Sequence, residues 1–425
     1  MLGVGVGPDG LGGGAGLTGP PAGARRIAPL REQDREALAV LLSVNGLGPM
    51  TLGRLVDRLG SPAAILETAS GVGGAAALVE GSAAADGEWR AMPLAVADAI
   101  AAAGANRAKL LDEVTRSGLR VVAQGDAEYP PRLNAIDIPP PALFVRGSLS
   151  SLSGTRVVAV VGTRRPSPAG RRIASRIAAA LSRAGATVVS GLAIGIDGAA
   201  HAACVSEGVP TVAFIGGGHA RLFPRAHDRL ADAIVDGGGA VVSEYAPMVE
   251  PSRGTFPQRN RLISGSSDAV VVVEAGARSG ALVTASWALE QGRECFIVPG
   301  SIDAPTSDGC NGFLRDFHDL ARIVSGIPQL LDDLALTAAA GLPGASGTGG
   351  QIVVRSTVEL PTARAVLSGR DPSQLAVAEA LVHGAVTVDE LVAVTRLSVG
   401  AVLGALTRLE ASGLARPIHG RYEPV

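Results

Sequence analysis

The 425-residue chain contains few lysines, cysteines and aromatic residues. Lysine occurs once, at Lys109, so arginine supplies nearly all of the 37 basic side chains, and only a clustering of arginines can indicate a site. Cys204, Cys295 and Cys310 form no CxxC pair, which predicts neither a metal site nor a disulfide framework and fits a reducing cytoplasm. No apolar run approaches the length of a membrane span, so no contact with a membrane is expected.

The net charge is close to zero, and the composition changes along the chain. A formal charge of −2 excludes a surface that binds polyanions everywhere, so a nucleic-acid site has to be local. Residues 1–30 are rich in Gly and Pro without the pattern of a signal peptide, and they predict a disordered tail. Residues 31–115 predict a helical domain of helix-hairpin-helix or SAM-like type, in which NGLGP joins two amphipathic segments. Such a turn can hold a DNA phosphate on its backbone amides, or it can serve packing alone.

Residues 116–335 predict a Rossmann-like α/β core built on a doubly wound parallel sheet. Six short runs are rich in β-branched residues, and the first five are each followed by a turn and a stretch of helical character. Continuous apolar strands that alternate with helices indicate a parallel sheet covered on both faces. In chain order the runs are RVVAVVG, TVVSG, TVAFIGG, AVVSEY, AVVVVEA and ECFIVPG.

The last part of the chain predicts a linker and a winged-helix domain. Residues 336–372 are rich in small residues and cannot bury a core. Residues 373–425 predict helices followed by a short β-hairpin, which is a winged-helix pattern. Acidic residues offset the arginines there, which favours an auxiliary or protein-binding role over reading a DNA groove.

Ligands of doubly wound sheets bind beyond the carboxyl ends of the strands, where loops of this chain carry candidate site residues. In the first loop, residues 161–170, Gly162 permits close backbone approach. Thr163, Arg164 and Arg165 would hold an anion at the start of the next helix. A plain strand–helix turn with solvated arginines is the alternative.

The second candidate loop, residues 190–201, begins with Ser190 and Gly191. Its glycine spacing is not GxGxxG, so the loop gives little support for a dinucleotide cofactor. Asp197 would cap the following helix, and His201 lies one turn later on the same face. Without a nucleophile nearby, we expect this His–Asp pair to be structural.

The third candidate segment, RGTFPQRNR, concentrates arginines around one of the few aromatic rings. Its arginines could clamp phosphates through bidentate bonds, and its ring could stack on any base. The alternative is a solvated basic loop whose ring packs in the core. The candidate DNA contacts in this segment are Arg253, Phe256, Arg259, Asn260 and Arg261.

The fourth candidate loop, residues 274–285, again starts a helix and offers Arg278, Ser279 and Thr284 to an anion. Glu274 ends the preceding strand, and we expect it to bond a neighbouring loop. Together the loops supply helix N-termini, hydroxyls, arginines and a ring without an obvious nucleophile. That set favours holding a phosphodiester chain over cutting it, and a ring that stacks favours single strands.

Several long motifs resemble the DNA-processing protein A (DprA/Smf) family over residues ~35–425. Arg253 stands where the family commonly has lysine, and the resemblance gives Arg164, Arg253 and Phe256 as matches to the family's DNA pocket. The matching motifs are YPPRLNAIDIPPPALFVRG, VAVVGTRRPSPAG, VVSGLAIGIDGAAH, TFPQRNRLISGSS, VVVEAGARSGALVTASWALEQGRECFIVPG and DGCNGFLRD.

The resemblance implies a cytoplasmic protein that binds single-stranded DNA during natural transformation and helps to load the RecA recombinase. It also implies a homodimer formed through the core, no catalysis and no cofactor. Two other functions stay open. One is a Rossmann-like nucleotide hydrolase of the lysine-decarboxylase-like type, against which the ARSGALVTASWALE loop lacks the PGG motif. The other is a regulator that binds duplex DNA through the winged helix.

Overall fold

A computed structural model describes residues 29–83, 91–154, 156–252, 254–336, 372–382, 388–411, 415–418 and 421–424. The chain divides into two compact units, Met1–Ala345 and Ser346–Val425. Nearly all of the predicted N-terminal tail, the predicted linker and the candidate residue Arg253 lie outside the described residues.

The first unit begins with helices that pack around a shared apolar core. In the second of them Leu52, Leu55 and Leu59 recur at helical spacing, and Leu52 and Leu55 are fully buried against the neighbouring helices. The NGLGP segment forms the turn between the first two helices, as its composition predicts. The helices are α1 Glu32–Leu41, α2 Pro49–Leu59, α3 Pro62–Ser70, α4 Gly74–Ser82, α5 Leu94–Ala105 and α6 Arg107–Arg116.

A nine-stranded sheet follows, in the order β1-β2-β6-β5-β4-β3-β7-β8-β9. The strands from β6 to β9 along that order are parallel, which confirms the predicted doubly wound core. The strands are β1 Arg120–Ala123, β2 Ala142–Gly147, β3 Val157–Val161, β4 Thr187–Ser190, β5 Thr211–Phe214, β6 Ala240–Ser243, β7 Ala269–Val272, β8 Glu294–Ile297 and β9 Ala321–Ile323.

Helices cover both faces of the sheet. Alternate residues of β3 point to opposite faces: Val157 and Val161 enter one apolar cluster, and Val158 and Val160 enter another. Both faces are therefore dry, which explains the unbroken apolar strands of the sequence. The helices are α7 Pro131–Asn134, α8 Pro168–Arg183, α9 Ile196–Ser206, α10 Asp228–Asp236, α11 Thr255–Gly265, α12 Gly280–Glu290, α13 Asp308–Asp316 and α14 Ile327–Asp333.

Two features of the core differ from the sequence prediction. Strands β1 and β2 extend one edge of the sheet in the antiparallel sense, so the complete sheet is mixed. The segment RGTFPQRNR was expected to be a loop, but most of it belongs to α11. Reciprocal bonds between Ser252 and Thr255 begin this helix, and Pro257 lies in its first turn, where no intrahelical N–H is needed.

The second unit has the predicted winged-helix elements. Its helices enclose a small core that includes Leu381, Leu391 and Leu406. The hairpin pairs in an antiparallel register, with Arg416 opposite Glu423. The elements are α15 Pro372–Val382, α16 Val388–Thr395, α17 Val399–Ala411, β10 Ala415–Ile418 and β11 Arg421–Pro424.

Candidate nucleic-acid site

A cavity of about 660 Å³ opens at the carboxyl ends of β3 and β7. The chain leaves β3 toward β4 on one side, while β7 pairs with β3 on the other, so the connections diverge there. Such a switch point leaves a crevice between loops, and it is the standard ligand position in doubly wound sheets. All four candidate segments of the sequence contribute residues to the cavity wall.

Most of the predicted site residues come together at this cavity. Ser190, Gly191 and Arg261 lie elsewhere, and Arg253 is outside the described residues. The predicted residues that line the cavity are Gly162, Thr163, Arg164, Arg165, Phe256, Arg259, Asn260, Arg278, Ser279 and Thr284.

Three solvent-exposed guanidinium groups give the cavity its positive charge. Arg164 and Arg165 follow β3, and Arg278 follows β7. Within the described part of the chain, none of the three forms a salt bridge. The wall also contains the buried Arg259 and two aspartates, so its formal charge is positive. The free guanidinium groups are suited to phosphate oxygens, which they can bind in a bidentate manner.

Phe256 forms part of the cavity wall and is half-buried. The guanidinium carbon of Arg164 lies 4.9 Å from the centre of the ring, which is a cation–π arrangement. The ring also rests on Gly216, where an added Cβ would lie 2.8 Å from Phe256 Cδ1. The contact with Gly216 fixes the ring at the cavity wall, next to the charge of Arg164.

Arg259 lines the same cavity but is buried. Its guanidinium donates hydrogen bonds to the carbonyl oxygens of Gly191 and Phe214, which end β4 and β5. Burial lowers the pKa of Arg259 to about 10, and the nearby carboxylate of Asp197 opposes this shift. The side chain therefore ties two strand ends together, and we assign it a supporting role.

Helix starts and loop bonds shape the rest of the wall. Asn260 donates to the carbonyl oxygen of Gly280 at 3.1 Å, which links α11 to the start of α12. Ser279 caps α12 by accepting a hydrogen bond from Ala281 N. Glu274 accepts bonds from the backbone N–H and the hydroxyl of Ser167, which confirms the expectation that it bonds a neighbouring loop.

Three predicted contacts do not line the cavity and are bonded to other groups of the protein. Arg261 is buried, and it donates to the carbonyl oxygen of Ile138 and to Glu244. Ser190 donates its hydroxyl to Val160 O at 2.6 Å, and Gly191 N donates to Asp197 at 3.1 Å. These polar groups are therefore occupied by hydrogen bonds within the protein.

Arg261 lines a second cavity, of about 1140 Å³, together with the NGLGP turn. Glu250 and Glu290 also line this cavity and are solvent-exposed. Two exposed carboxylates repel a phosphate, so these surroundings favour the packing role of the turn over DNA contact.

His201 and Asp197 do not form a catalytic pair. His201 is fully buried, and its Nδ1 lies 2.9 Å from the hydroxyl of Thr211. Burial lowers the pKa of His201 to about 3, so the imidazole is neutral at physiological pH. Among the described residues, no His, Cys, Asp and Glu side chains cluster in a way that could hold a metal ion. The same residues include no helix long and apolar enough to cross a membrane.

Sequence reasoning missed two parts of the site. Pro305, in the loop before α13, and Asp308, the first residue of α13, line the cavity, although the sequence presents DGCNGFLRD only as a family motif. Phe223 lies beside Phe256, with 6.0 Å between the ring centres. Its signal in the sequence is RLFPR, a second Phe-Pro step between arginines that resembles the FPQR of the third segment.

The chain is similar to known DNA-processing proteins in sequence and in structure. One family model, described as DNA recombination-mediator protein A, matches residues 120–335, and a second, the DprA winged helix domain, matches residues 361–421. The X-ray structure of DprA from Streptococcus pneumoniae aligns with a TM-score of 0.58 and 31% identity, covering 70% of this chain and 97% of that one.

Curated proteins show the same similarity. Protein Smf of Escherichia coli is 48% identical over 206 residues, which are 48% of this chain and 54% of that protein. The match therefore spans about half of the length of the Escherichia coli protein. Protein Smf of Synechocystis is 34% identical over 339 residues, which are 75% of this chain and 83% of that protein.

Proposed function

The chain belongs to the DNA recombination-mediator protein A family, and from this membership we propose that it binds single-stranded DNA in the cavity at the ends of β3 and β7. The observation that carries the proposal is the set of exposed arginines, Arg164, Arg165 and Arg278, around the half-buried ring of Phe256. The guanidinium groups hold phosphates, and the ring stacks on an unpaired base.

Arg253 and the polar residues of the wall complete the proposed site. Thr163 and Ser279 offer hydroxyls at the two loops, and Asn260 and Thr284 also line the cavity. Gly162 lets β3 end close to Ile196 and to the carbonyl oxygen of Glu274, which a Cβ at this position would not allow. Arg259 supports the site by joining the ends of two strands, and Arg261 supports α11 through its bonds to Ile138 and Glu244. Arg253 is proposed as a phosphate contact because it stands where the family commonly has a lysine in its DNA pocket.

In this proposal the protein acts as a mediator of recombination without catalysis of its own. It shields incoming strands in the cytoplasm during transformation and helps to load RecA onto them, working as a homodimer formed through the core. These roles rest on family membership. A nucleotide hydrolase is disfavoured because Glu274 already accepts two bonds from Ser167 and His201 is a buried, neutral imidazole.

The proposal is tested by reversing one charge in the cavity. Arg164→Glu removes a phosphate contact, so affinity for a labelled oligo-dT should fall at least tenfold. The negative slope of log Kobs, the association constant, against log salt concentration should become less steep by about 0.7 to 1. Both quantities are measured by fluorescence anisotropy of the full chain at several salt concentrations.

Arg58→Glu is the matched control, because Arg58 is equally exposed but lies on α2, away from the cavity. It makes the same change of net charge and should leave both quantities nearly unchanged. Equal losses in the two variants would mean that strands are held by net charge, and the proposed cavity would be wrong.

A further inference from the structure

Phe223 is a large aromatic side chain that remains 51% exposed on a protein with few aromatics. It lies in the connection after β5, outside the cavity wall, and its ring is tilted by 55° against that of Phe256. Phe256 is partly covered by Arg164 and Gly216, so Phe223 presents the more accessible ring of the pair.

The same connection carries positive charge. Arg221 and Arg225 flank Phe223, and both are solvent-exposed. Within the described residues neither forms a salt bridge. No acidic residue occurs between Phe214 and Asp228. The connection thus repeats the combination of exposed guanidinium groups and a ring that marks the cavity.

This connection follows β5 and therefore lies at the same carboxyl ends of the strands as the cavity. Strand β5 lies two strands from β3 and three from β7 in the sheet order. Neighbouring β-strands are about 4.8 Å apart, so the carboxyl ends of β7 and β5 are separated by about 14 Å. A single DNA strand whose phosphates are held by Arg278 and Arg164, and which continues from β7 toward β5, would pass the rings of Phe256 and Phe223. It would then reach Arg221 and Arg225.

We propose that Arg221, Phe223 and Arg225 form a second contact region for single-stranded DNA, in which Phe223 stacks on a base outside the cavity. The inference rests on the proposed function and extends it, because it sets the direction of the strand and the number of bases that are stacked. A dinucleotide held at Arg278 and Arg164 is too short to reach this region, whereas longer DNA strands reach it.

The test compares strands of two lengths and two chemistries with the full-length protein. Phe223→Ala should weaken binding of an oligo-dT of about 16 nucleotides by fivefold or more, and should leave binding of an oligo-dT of about 2 nucleotides nearly unchanged. Phe223→Trp should restore the affinity, because it keeps a π-face, whereas Phe223→Leu keeps only apolar bulk and should not. An abasic 16-mer retains the phosphates without bases, so Phe223→Ala should not weaken its binding.

Val72→Ala is the matched control, since Val72 is fully exposed on the turn between α3 and α4. If the wild type binds the long strand and Phe223→Ala behaves like this control, the second contact region is refuted while the cavity stands. A Leu variant that binds as tightly as the wild type would also refute stacking. If the wild type binds no strand at all, the proposed function itself is wrong.

Arg221→Glu and Arg225→Glu test the phosphate contacts of the same region. For the long strand, each should make the negative slope of log Kobs against log salt concentration less steep by about 0.7 to 1. For the short strand, each should leave the slope unchanged. Equal slopes for wild type and variants on the long strand would remove these arginines from the path of the strand.

Discussion

Arg164 and Arg259 line one cavity, yet their side chains have opposite environments. Arg164 is exposed and lies over an aromatic ring, whereas Arg259 is buried and donates hydrogen bonds to the carbonyl oxygens of Gly191 and Phe214. The sequence presents both as members of arginine clusters, and nothing local distinguishes them. Burial depends on which strand ends meet in the folded sheet, so the two roles separate only in the structure.

Arg259→Met should therefore act on stability. The change leaves two backbone carbonyls without donors and Asp197 without its nearby cation in a buried place, at a cost of about 3 to 5 kcal/mol. Urea unfolding followed by tryptophan fluorescence measures the loss. Arg165→Ala, at an exposed arginine of the same cavity, should change stability by less than about 0.5 kcal/mol. Similar unfolding curves for both variants would contradict the supporting role of Arg259.

At the scale of elements, the segment RGTFPQRNR shows where sequence reasoning stops. The sequence predicts a loop, but α11 begins at Thr255, where reciprocal hydrogen bonds join Ser252 to Thr255 and Pro257 fits the first turn. The apolar signal comes later, at Leu262 and Ile263, which bury against the sheet. The helix explains why residues of one short segment diverge, some toward the cavity and others into the protein.

Gly216→Ala tests whether the position of the Phe256 ring, which α11 sets, matters for binding. The new Cβ would lie 2.8 Å from Phe256 Cδ1, so the ring has to move away from the cavity wall. Affinity for oligo-dT should fall about fivefold, near the lower end of what one stacked base contributes.

Gly53→Ala, in an open position on α2, is the control and should bind like the wild type. Anisotropy titrations compare the two variants. Unchanged binding by Gly216→Ala would show that the position of the ring does not matter.

At the scale of the whole molecule, the parallel strands β3 to β8 could be predicted because each lies in a short apolar run rich in β-branched residues, and the first five runs are followed by a stretch of helical character. Strands β1, β2 and β9 escaped prediction. They lie toward the edges of the sheet, and β1 and β2 belong to no β–α–β repeat that would mark them. That the four candidate segments meet at one cavity could be predicted from the rule that ligands bind beyond the carboxyl ends of parallel strands. The position of Phe223 beside that cavity could not be predicted in this way.

The division into two units leads to a prediction about the winged helix. The cavity and the cores of the sheet lie within Met1–Ala345, and Ser346–Val425 has a core of its own. A chain that ends at residue 345 should fold and bind oligo-dT within about threefold of the full chain. Circular dichroism and anisotropy would check both points. A loss of tenfold or more would place strand contacts in the second unit.

The central claim is that the cavity holds an unpaired strand by its phosphates and bases. The most direct measurement is anisotropy of the full chain with labelled oligo-dT, competed by unlabelled single strand or by duplex of equal length, at two salt concentrations. The account predicts that single strand competes much better than duplex, and that binding weakens steeply with salt. Equal competition by duplex would contradict base stacking at the cavity and would direct attention to the winged helix.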